Sequence, residues 1–535
     1  MLSYFITVPT LIAVFLYIFP NAKVAKFLTL LCQAGLVAFS SWLFFESRGG
    51  EIVEAVGNFE WVLGVLLKAD TLSVAFLLLS SFTFLIITFY TFNGSASRLF
   101  LLMLFVWQGV INGIFLSRDL FNLFVLIEVK TVVAAILIMY HKGNRSIYDG
   151  MLYLMINTAA VLFYLFGVGY IYKMTGVFNM DAAADAIAYL DRSDLLLPFA
   201  LIMMPICLKC ALVPLYSWLP RAHGTPGAPT VVSAILSGLH IKTAVYLFVR
   251  VMEMFPQLDA SWFFLIVGIV TGIVGFMFAL AQTDIKLILA YHTVSQIGMI
   301  MIGLNLGDYY AHIGGLYHMF NHALFKSALF LCAGLISHTY HTRDIYKISG
   351  VLRRMPFVGV ATLMAAMGIT GTPIFNGSIS KYFIGANADP FINGALIFIN
   401  LGTIVSFIKF SSMLFGADKG HSGEEYKYHG DMKVDGFKQI AVLVLGTLCL
   451  IGGFFGEAFI YVLLHVQVGV DTMGYIEKSL IFLGSAVAGF FLYKYFVKKS
   501  RLFVILRGFE IGFRGMCILM GVFFAVMLLS LAFVG

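Results

Sequence analysis

Charge is what this sequence has least of. Only 11% of its 535 residues are Asp, Glu, Lys or Arg, against 61% that are hydrophobic, and the mean hydropathy is +0.95. That composition excludes a soluble domain. Cysteine is scarce as well. Cys32, Cys207, Cys210, Cys332, Cys449 and Cys517 all fall in apolar runs, which excludes a disulfide framework and any iron–sulfur spacing. The pair Cys207-x-x-Cys210 lacks the exposed helix start that a redox pair uses. Nucleotide loops, catalytic triads and flavin fingerprints are missing, as are low-complexity segments. The net charge of +7 is no nucleic-acid signal, because the basic residues sit in short loops between apolar runs.

What is present is apolar runs of about 20 residues from end to end, the pattern of a polytopic α-helical membrane protein. Sixteen spans are expected, at 2–19, 25–46, 71–92, 99–116, 119–140, 149–172, 196–218, 229–251, 261–281, 286–306, 311–337, 357–384, 391–416, 437–464, 476–497 and 514–534. The first run lacks a basic leader and a small-residue cleavage site, so it reads as a transmembrane helix. Loops after odd-numbered spans carry the basic residues, among them Lys23, Lys142, Arg221, Lys286, Arg343 and Lys427; those after even-numbered spans are acidic or neutral. This puts both termini outside and the basic loops in the cytoplasm, as expected for a multi-pass protein of a bacterial or archaeal inner membrane. The polar stretch 179–190 is expected to form a short interfacial helix, and 417–436 a mobile cytoplasmic loop that touches a partner.

Inside this apolar background a few ionisable residues stand at membrane depth. Lys209 lies between Pro205 and Pro214. A lysine there costs ~3 kcal/mol on insertion scales, and each proline removes a backbone hydrogen bond and opens the helix. Open backbone is tolerated only within protein or beside water. Glu128, near the middle of span five, needs a partner or a proton. Read structurally it is one half of an interhelical ion pair; read functionally it biases Lys209, since a carboxylate favours a charged lysine and desolvation a neutral one. Lys130 is two residues away, on another helix face, and would pair with an acid on another helix or subunit. Lys242, just after His240, is too deep to snorkel and reads as a relay. His318, His322 and Lys326 recur at spacing four on one face. His-x-x-x-His is also a metal spacing, but the adjoining lysine and the lack of an acidic ligand favour proton transfer. Lys381 follows the break Gly371-Thr372-Pro373, and Lys409 lies in the next span. Glu457 reads as a packing acid.

These features recur in two sets. Spans four to eight hold Glu128, the broken helix with Lys209, and Lys242; spans nine to thirteen hold a second broken helix with Lys381, then Lys409. Five helices per unit is odd, so successive units insert inverted, and broken helices at matching positions point to a transport site. The expected division is 1–98 N-terminal helices, 99–251 and 261–416 two half-channels, 417–436 a loop, and 437–535 C-terminal helices.

Four stretches carry a resemblance: SRDLFNLFVLIEV at Glu128, LKCALVPLYSWLPRAH at Lys209, QTDIKLILAYHTVSQIGMIMIG in span ten, and HMFNHALFKSALFLCAG with GTPIFNGSISKYF beyond it. They resemble the antiporter-like subunit family, which includes Mrp-type sodium/proton antiporter subunits, proton-translocating membrane subunits of complex I, and those of membrane-bound hydrogenases. The resemblance implies an all-α polytopic fold of about 14–16 transmembrane helices with two inverted five-helix repeats and discontinuous helices. It makes Glu128 and Lys209 the coupled pair, Lys242 with His318 and His322 the central relay, and Lys381 the gate of the second half. Lys326, Lys409, Lys130 and His240 are secondary candidates for proton transfer. It implies no cofactor, no metal and no catalytic site in this chain. The expected function is a proton-translocating subunit of a multisubunit Mrp-type cation (Na+)/proton antiporter. The alternative is the membrane arm of a redox-driven complex I-like or hydrogenase-type oxidoreductase. A scaffold without transport fits the intact set of buried ionisable residues poorly. Partners are then other membrane subunits, protons, Na+ and the bilayer, with no nucleic acid. Departures from the family pattern are Lys130, a loop HGTPGAPTVVSA two residues longer than the commoner form, and no obvious long lateral helix, although 498–514 is amphipathic enough to lie on the membrane.

Overall fold

The computed structural model describes residues 1–19, 23–58, 64–94, 97–417 and 434–533. The expected loop at 417–436, with Lys427, lies almost wholly outside the described residues. The helices are α1 (Tyr4–Ile18), α2 (Lys23–Glu46), α3 (Thr71–Thr91), α4 (Arg98–Leu116), α5 (Leu120–Ile138), α6 (Asn144–Thr175), α7 (Met180–Ile187), α8 (Arg192–Lys209), α9 (Trp218–Gly224), α10 (Thr230–Ile235), α11 (Ile241–Met254), α12 (Ser261–Ala281), α13 (Ile285–Asn305) and α14 (Tyr309–Tyr340). Then come α15 (Val351–Arg354), α16 (Pro356–Thr370), α17 (Asn376–Ile384), α18 (Pro390–Ser411), α19 (Gly436–Phe454), α20 (Gly456–Leu464), α21 (Thr472–Phe491), α22 (Arg501–Arg507) and α23 (Phe513–Phe533).

Each of the sixteen expected runs carries helix, and among the described residues thirteen helical stretches are long and apolar enough to cross a membrane. The three that fall short are informative. One is the 15-residue α1; the other two are the runs at 196–218 and 357–384, each interrupted in its middle. Other expectations need adjusting. The all-α class holds, with one addition: two short antiparallel strands, β1 (Ile52–Ala55) and β2 (Leu66–Ala69), pair in the loop after α2. The interfacial helix near 179–190 is α7. The stretch 498–514 is not one continuous helix: it holds the short α22 between a 3-10 turn and the start of α23, and α22 packs on the end of α12, where Arg507 Nε donates to the Ala281 carbonyl at 2.8 Å.

Seven of the 27 acids start helices. Asp70, Asp119, Asp284, Asp308, Asp389, Asp435 and Asp471 each stand at an N-cap and accept backbone N–H groups of the first turn. Those donors have no partner within the helix. Such caps hold the acids at the ends of the spans and keep them out of the apolar middle.

The stretch 230–254 and α14 are buried almost throughout and form the centre, while α21 and α23 lie at the periphery. Phe76 of α3 stacks on Phe115 and Phe320 with centroids 5.0 and 4.7 Å apart, locking the N-terminal helices to that centre.

Candidate functional site

The helix that carries Lys209 ends on it. Pro205 lies inside α8, and the chain runs non-helically from Cys210 to Ser217 before α9. The backbone groups this frees find new partners. Trp218 Nε1 donates to the Leu208 carbonyl at 2.8 Å, and the Val213 N–H donates to Thr271 Oγ1 at 3.0 Å. The break is thus sealed within protein, as a membrane interior requires.

Lys209 Nζ donates to Thr131 Oγ1 at 3.0 Å on α5 and to Asn157 Oδ1 at 3.1 Å on α6. Glu128 is half-buried and makes no direct ion pair with it. Its Oε2 accepts from Thr158 Oγ1 at 3.5 Å, and its Oε1 has no protein partner. Consecutive residues of α6, Asn157 and Thr158, therefore hold the lysine and the carboxylate. Each is close enough to feel the other's charge.

Lys130 does point to another face than Glu128, but its partner is not an acid. It is fully buried and donates to Thr243 Oγ1 at 2.5 Å, and Thr243 Oγ1 donates to the His240 carbonyl at 2.8 Å. The His240 ring sits between Tyr153 Oη, 3.1 Å from Nε2, and Trp107 Nε1, 3.3 Å from Nδ1. His240 closes a five-residue π-helical turn, Leu236–His240, between α10 and α11. Such turns frequently occur at functional positions, and nothing in the sequence LSGLH signals this one.

Lys242 follows directly. Its Nζ donates to the Ser237 carbonyl at 2.6 Å, which the π-turn turns toward it, and contacts His322 Nδ1. His318 and His322 share a face of α14 yet divide their partners. His322 meets Lys242, whereas His318 Nε2 lies 3.0 Å from Gln296 Oε1 and its Nδ1 2.8 Å from Ser380 Oγ, the neighbour of Lys381. The histidine pair thus lies between Lys242 of α11 and Ser380 of α17. Lys326 Nζ donates to the Leu289 carbonyl at 2.5 Å and stands within electrostatic reach of Lys242, His322, His223 and His292. His223 and His292 are fully buried, and neither ring has a hydrogen-bond partner in the protein. Both lie within the quoted family stretches, but their sequence neighbours gave no reason to single them out.

A second interruption separates α16 from α17. α16 ends at Gly371 with φ +77°, and α17 begins at Asn376. Lys381 Nζ donates to the Ile369 carbonyl at 2.6 Å and to Asn400 Oδ1 at 2.7 Å. Lys409 is different in kind. Its three acceptors are the carbonyls of Ala279, Leu280 and Gln282 at 2.7–3.1 Å, where α12 ends. A cation there caps the helix and complements its dipole. Glu457, in the first turn of α20, accepts the Val470 N–H at 2.6 Å. Cys207 and Cys210 are buried free thiols.

Residues 117–408 match the family model described as NADH:quinone oxidoreductase/Mrp antiporter, transmembrane. Among curated relatives, a Na(+)/H(+) antiporter subunit of Alkalihalophilus pseudofirmus is 29% identical over 491 residues, 89% of this chain and 98% of the relative. An NADH-quinone oxidoreductase subunit of Desulforudis audaxviator is 35% identical over 301 residues, 55% of this chain and 58% of the relative. Among solved structures, a chain of the Mrp complex from a Dietzia species superposes with a TM-score of 0.76 at 23% identity, covering 95% of this chain and 99% of that one. At that identity the likeness speaks for the fold.

Proposed function

This chain belongs to the NADH:quinone oxidoreductase/Mrp antiporter transmembrane family, and on that premise we propose that it is a proton-translocating subunit of a multisubunit Mrp-type cation (Na+)/proton antiporter. The observation that carries the reading is the line of buried polar contacts through an apolar bundle. Lys209 meets Thr131 and Asn157, Lys242 meets His322, and His318 reaches Ser380 beside Lys381. Maintaining such a line in a membrane interior is costly, and ionisable residues kept at that cost mark proton and ion pathways. The near end-to-end match to an antiporter subunit supports this branch.

In this mechanism Glu128 biases Lys209 without touching it. Two charges just beyond ion-pair contact interact by up to about 4 kcal/mol at an effective dielectric of 20, enough to shift a proton equilibrium by about a thousandfold. A movement of α5 against α6 would change that separation, because the carboxylate and the lysine are held by neighbouring residues of α6. The proton released from Lys209 passes by way of Lys242 and His322 to His318, and leaves from Lys381. Each half would be one inverted unit, 99–251 and 261–416. Matching contacts support this. Asp119 bridges Asn179 where α5 begins and α6 has ended, and Asp284 bridges Asp344 where α13 begins and α14 has ended. Both termini would face outside a bacterial or archaeal inner membrane.

The test is proton-coupled transport by the assembled complex in vesicles. Lys209→Ala, Glu128→Ala and Lys381→Ala should each abolish it while assembly persists; wild-type rates for any of them would sink the relay. The second reading, the membrane arm of a redox-driven oxidoreductase, is favoured by the 35% identity to the NADH-quinone oxidoreductase relative. It predicts transport driven by electron transfer and indifferent to a sodium gradient.

A further inference from the structure

A cavity of about 90 Å³ opens beside Lys381, between α17, α18 and α21. One water needs about 10–15 Å³ of such space, so the cavity takes several. The space beside Lys209 is about 10 Å³, and that lysine is almost wholly buried. Lys381, by contrast, keeps accessible surface, whereas Lys130, Lys242 and Lys326 are fully buried.

The walls of the cavity carry two lysine–asparagine contacts at two depths. Lys381 donates to Asn400 at 2.7 Å, and Lys478 of α21 donates to Asn393 at 2.9 Å. Asn393 and Asn400 are seven residues apart on α18, hence on one face and about 10 Å apart along the axis. Lys478 and Ser485 have the same spacing on α21, and both line the cavity. Asn393 and Lys478 are near the starts of their helices, so their contact forms the shallower level. Tyr475, one turn before Lys478, reaches the interrupted helix itself. Its Oη accepts the Ile374 N–H at 3.0 Å and lies 2.8 Å from Ser378 Oγ. The peripheral helix α21 is therefore built onto the break that presents Lys381.

We propose that the cleft between α18 and α21 is the aqueous access joining Lys381 to the membrane face where α21 starts, and that Lys478 is a positively charged filter at its mouth. Water and protons pass it, because an ammonium can itself take part in a hydrogen-bonded chain. A hydrated metal cation meets like charge. The use of this access rests on reading Lys381 as a proton carrier; its existence does not.

The test is thiol labelling of the assembled complex in a Cys32→Ser, Cys517→Ser background. Ser485→Cys should react with membrane-impermeant methanethiosulfonates added on the α21 N-terminal side, and Leu483→Cys, on the exposed flank of the same helix, should not. Ser479→Cys serves as a second position should Ser485→Cys fail to assemble. With Lys478 in place, the rate of the anionic sulfonatoethyl reagent over that of the cationic trimethylammonium reagent, each divided by its rate with a free thiol, should be about four, the factor expected for one charge ~10 Å away in water. Lys478→Gln should remove that preference and Lys478→Arg keep it. Labelling no faster than at Leu483→Cys overturns the access, as it would if lipid or a partner subunit filled the cleft. An unchanged ratio in Lys478→Gln overturns the filter. Labelling needs no transport, so a Lys381→Ala complex that still pumps would defeat the proton-carrier reading and leave the access standing.

Discussion

A lysine that carries protons needs a partner that tolerates both of its forms. Hydroxyls and imidazoles donate and accept, so they can serve an ammonium or an amine; carbonyl oxygens only accept and suit the ammonium. Lys209 has Thr131 among its partners, Lys242 has His322, Lys130 has Thr243, and Lys381 has the Asn400 side-chain amide, which can turn over to present either a donor or an acceptor. Lys409, with three carbonyls, is fixed as a cation, which favours a structural role for it over a place in the relay. Lys130 is the residue whose role the sequence left open, and its single hydroxyl partner makes that role testable. In Thr243→Val its buried nitrogen loses its acceptor, at a cost of about 2 kcal/mol. Thr243→Ser keeps the oxygen. The thermal midpoint of the purified complex should fall for the valine variant and stay near wild type for the serine one; equal midpoints would show that Thr243 does not hold Lys130.

Interrupted helices put the two outer lysines where they are, and they do so through backbone geometry. At Gly371 the chain takes φ +77°, a left-handed conformation, and a Cβ there would come within 2.9 Å of Lys381 Cδ. Gly371→Ala therefore strains the backbone by about 1–2 kcal/mol and pushes Lys381 off its two acceptors. The expected result is an assembled complex with slower transport, and Lys381 variants should add little to that loss when combined with it; additive losses in the double-variant cycle would show the two act independently. This break was legible in the sequence because glycine, proline and a lysine adjoin in a run otherwise fit to span. The break at Lys209 was legible because Pro205 and Pro214 flank a lysine in an apolar run, and the positions of all the long helices were legible as well. The π-turn before Lys242 was not, because nothing in LSGLH demands it; it follows from packing at the centre of the bundle. Nor were Thr131, Asn157, Thr158 and Thr243, which are ordinary residues in sequence and become partners only when α5, α6 and α11 meet. The strands β1 and β2 escaped notice because four-residue strands in a polar loop have too little periodicity to register.

At the scale of the molecule, separate parts of the chain are fastened by ion pairs at the ends of the spans, outside the apolar layer. Asp70, which caps α3 among the N-terminal helices, takes Arg118 from the α4–α5 connection at 2.5 Å and Arg250 from α11 at 2.6 Å. Asp284, which caps α13, takes Arg343 from beyond α14 at 2.6 Å. The first clamp ties the N-terminal helices to the half that holds Lys209, so its failure should loosen the whole assembly rather than one helix. Burial by itself would raise the proton affinity of the Asp70 carboxyl, but the charges of Arg250 and Arg118 and the hydrogen bonds from Ser73 outweigh it and hold the group below the ordinary aspartate range. A carboxylate whose folded value is depressed adds stability that is fully present above its unfolded value, about 3.9, and is lost as pH falls through the folded value. Asp70→Asn keeps the shape but leaves Arg118 without its anion and Arg250 with Glu253 alone, a loss of about 2 kcal/mol at neutral pH. Thermal midpoints of wild type and variant should therefore differ clearly at pH 7 and converge below pH about 4 as the wild-type carboxyl takes up its proton. A gap that persists unchanged into acid would mean that Asp70 acts by shape and capping, and that the charge clamp contributes nothing.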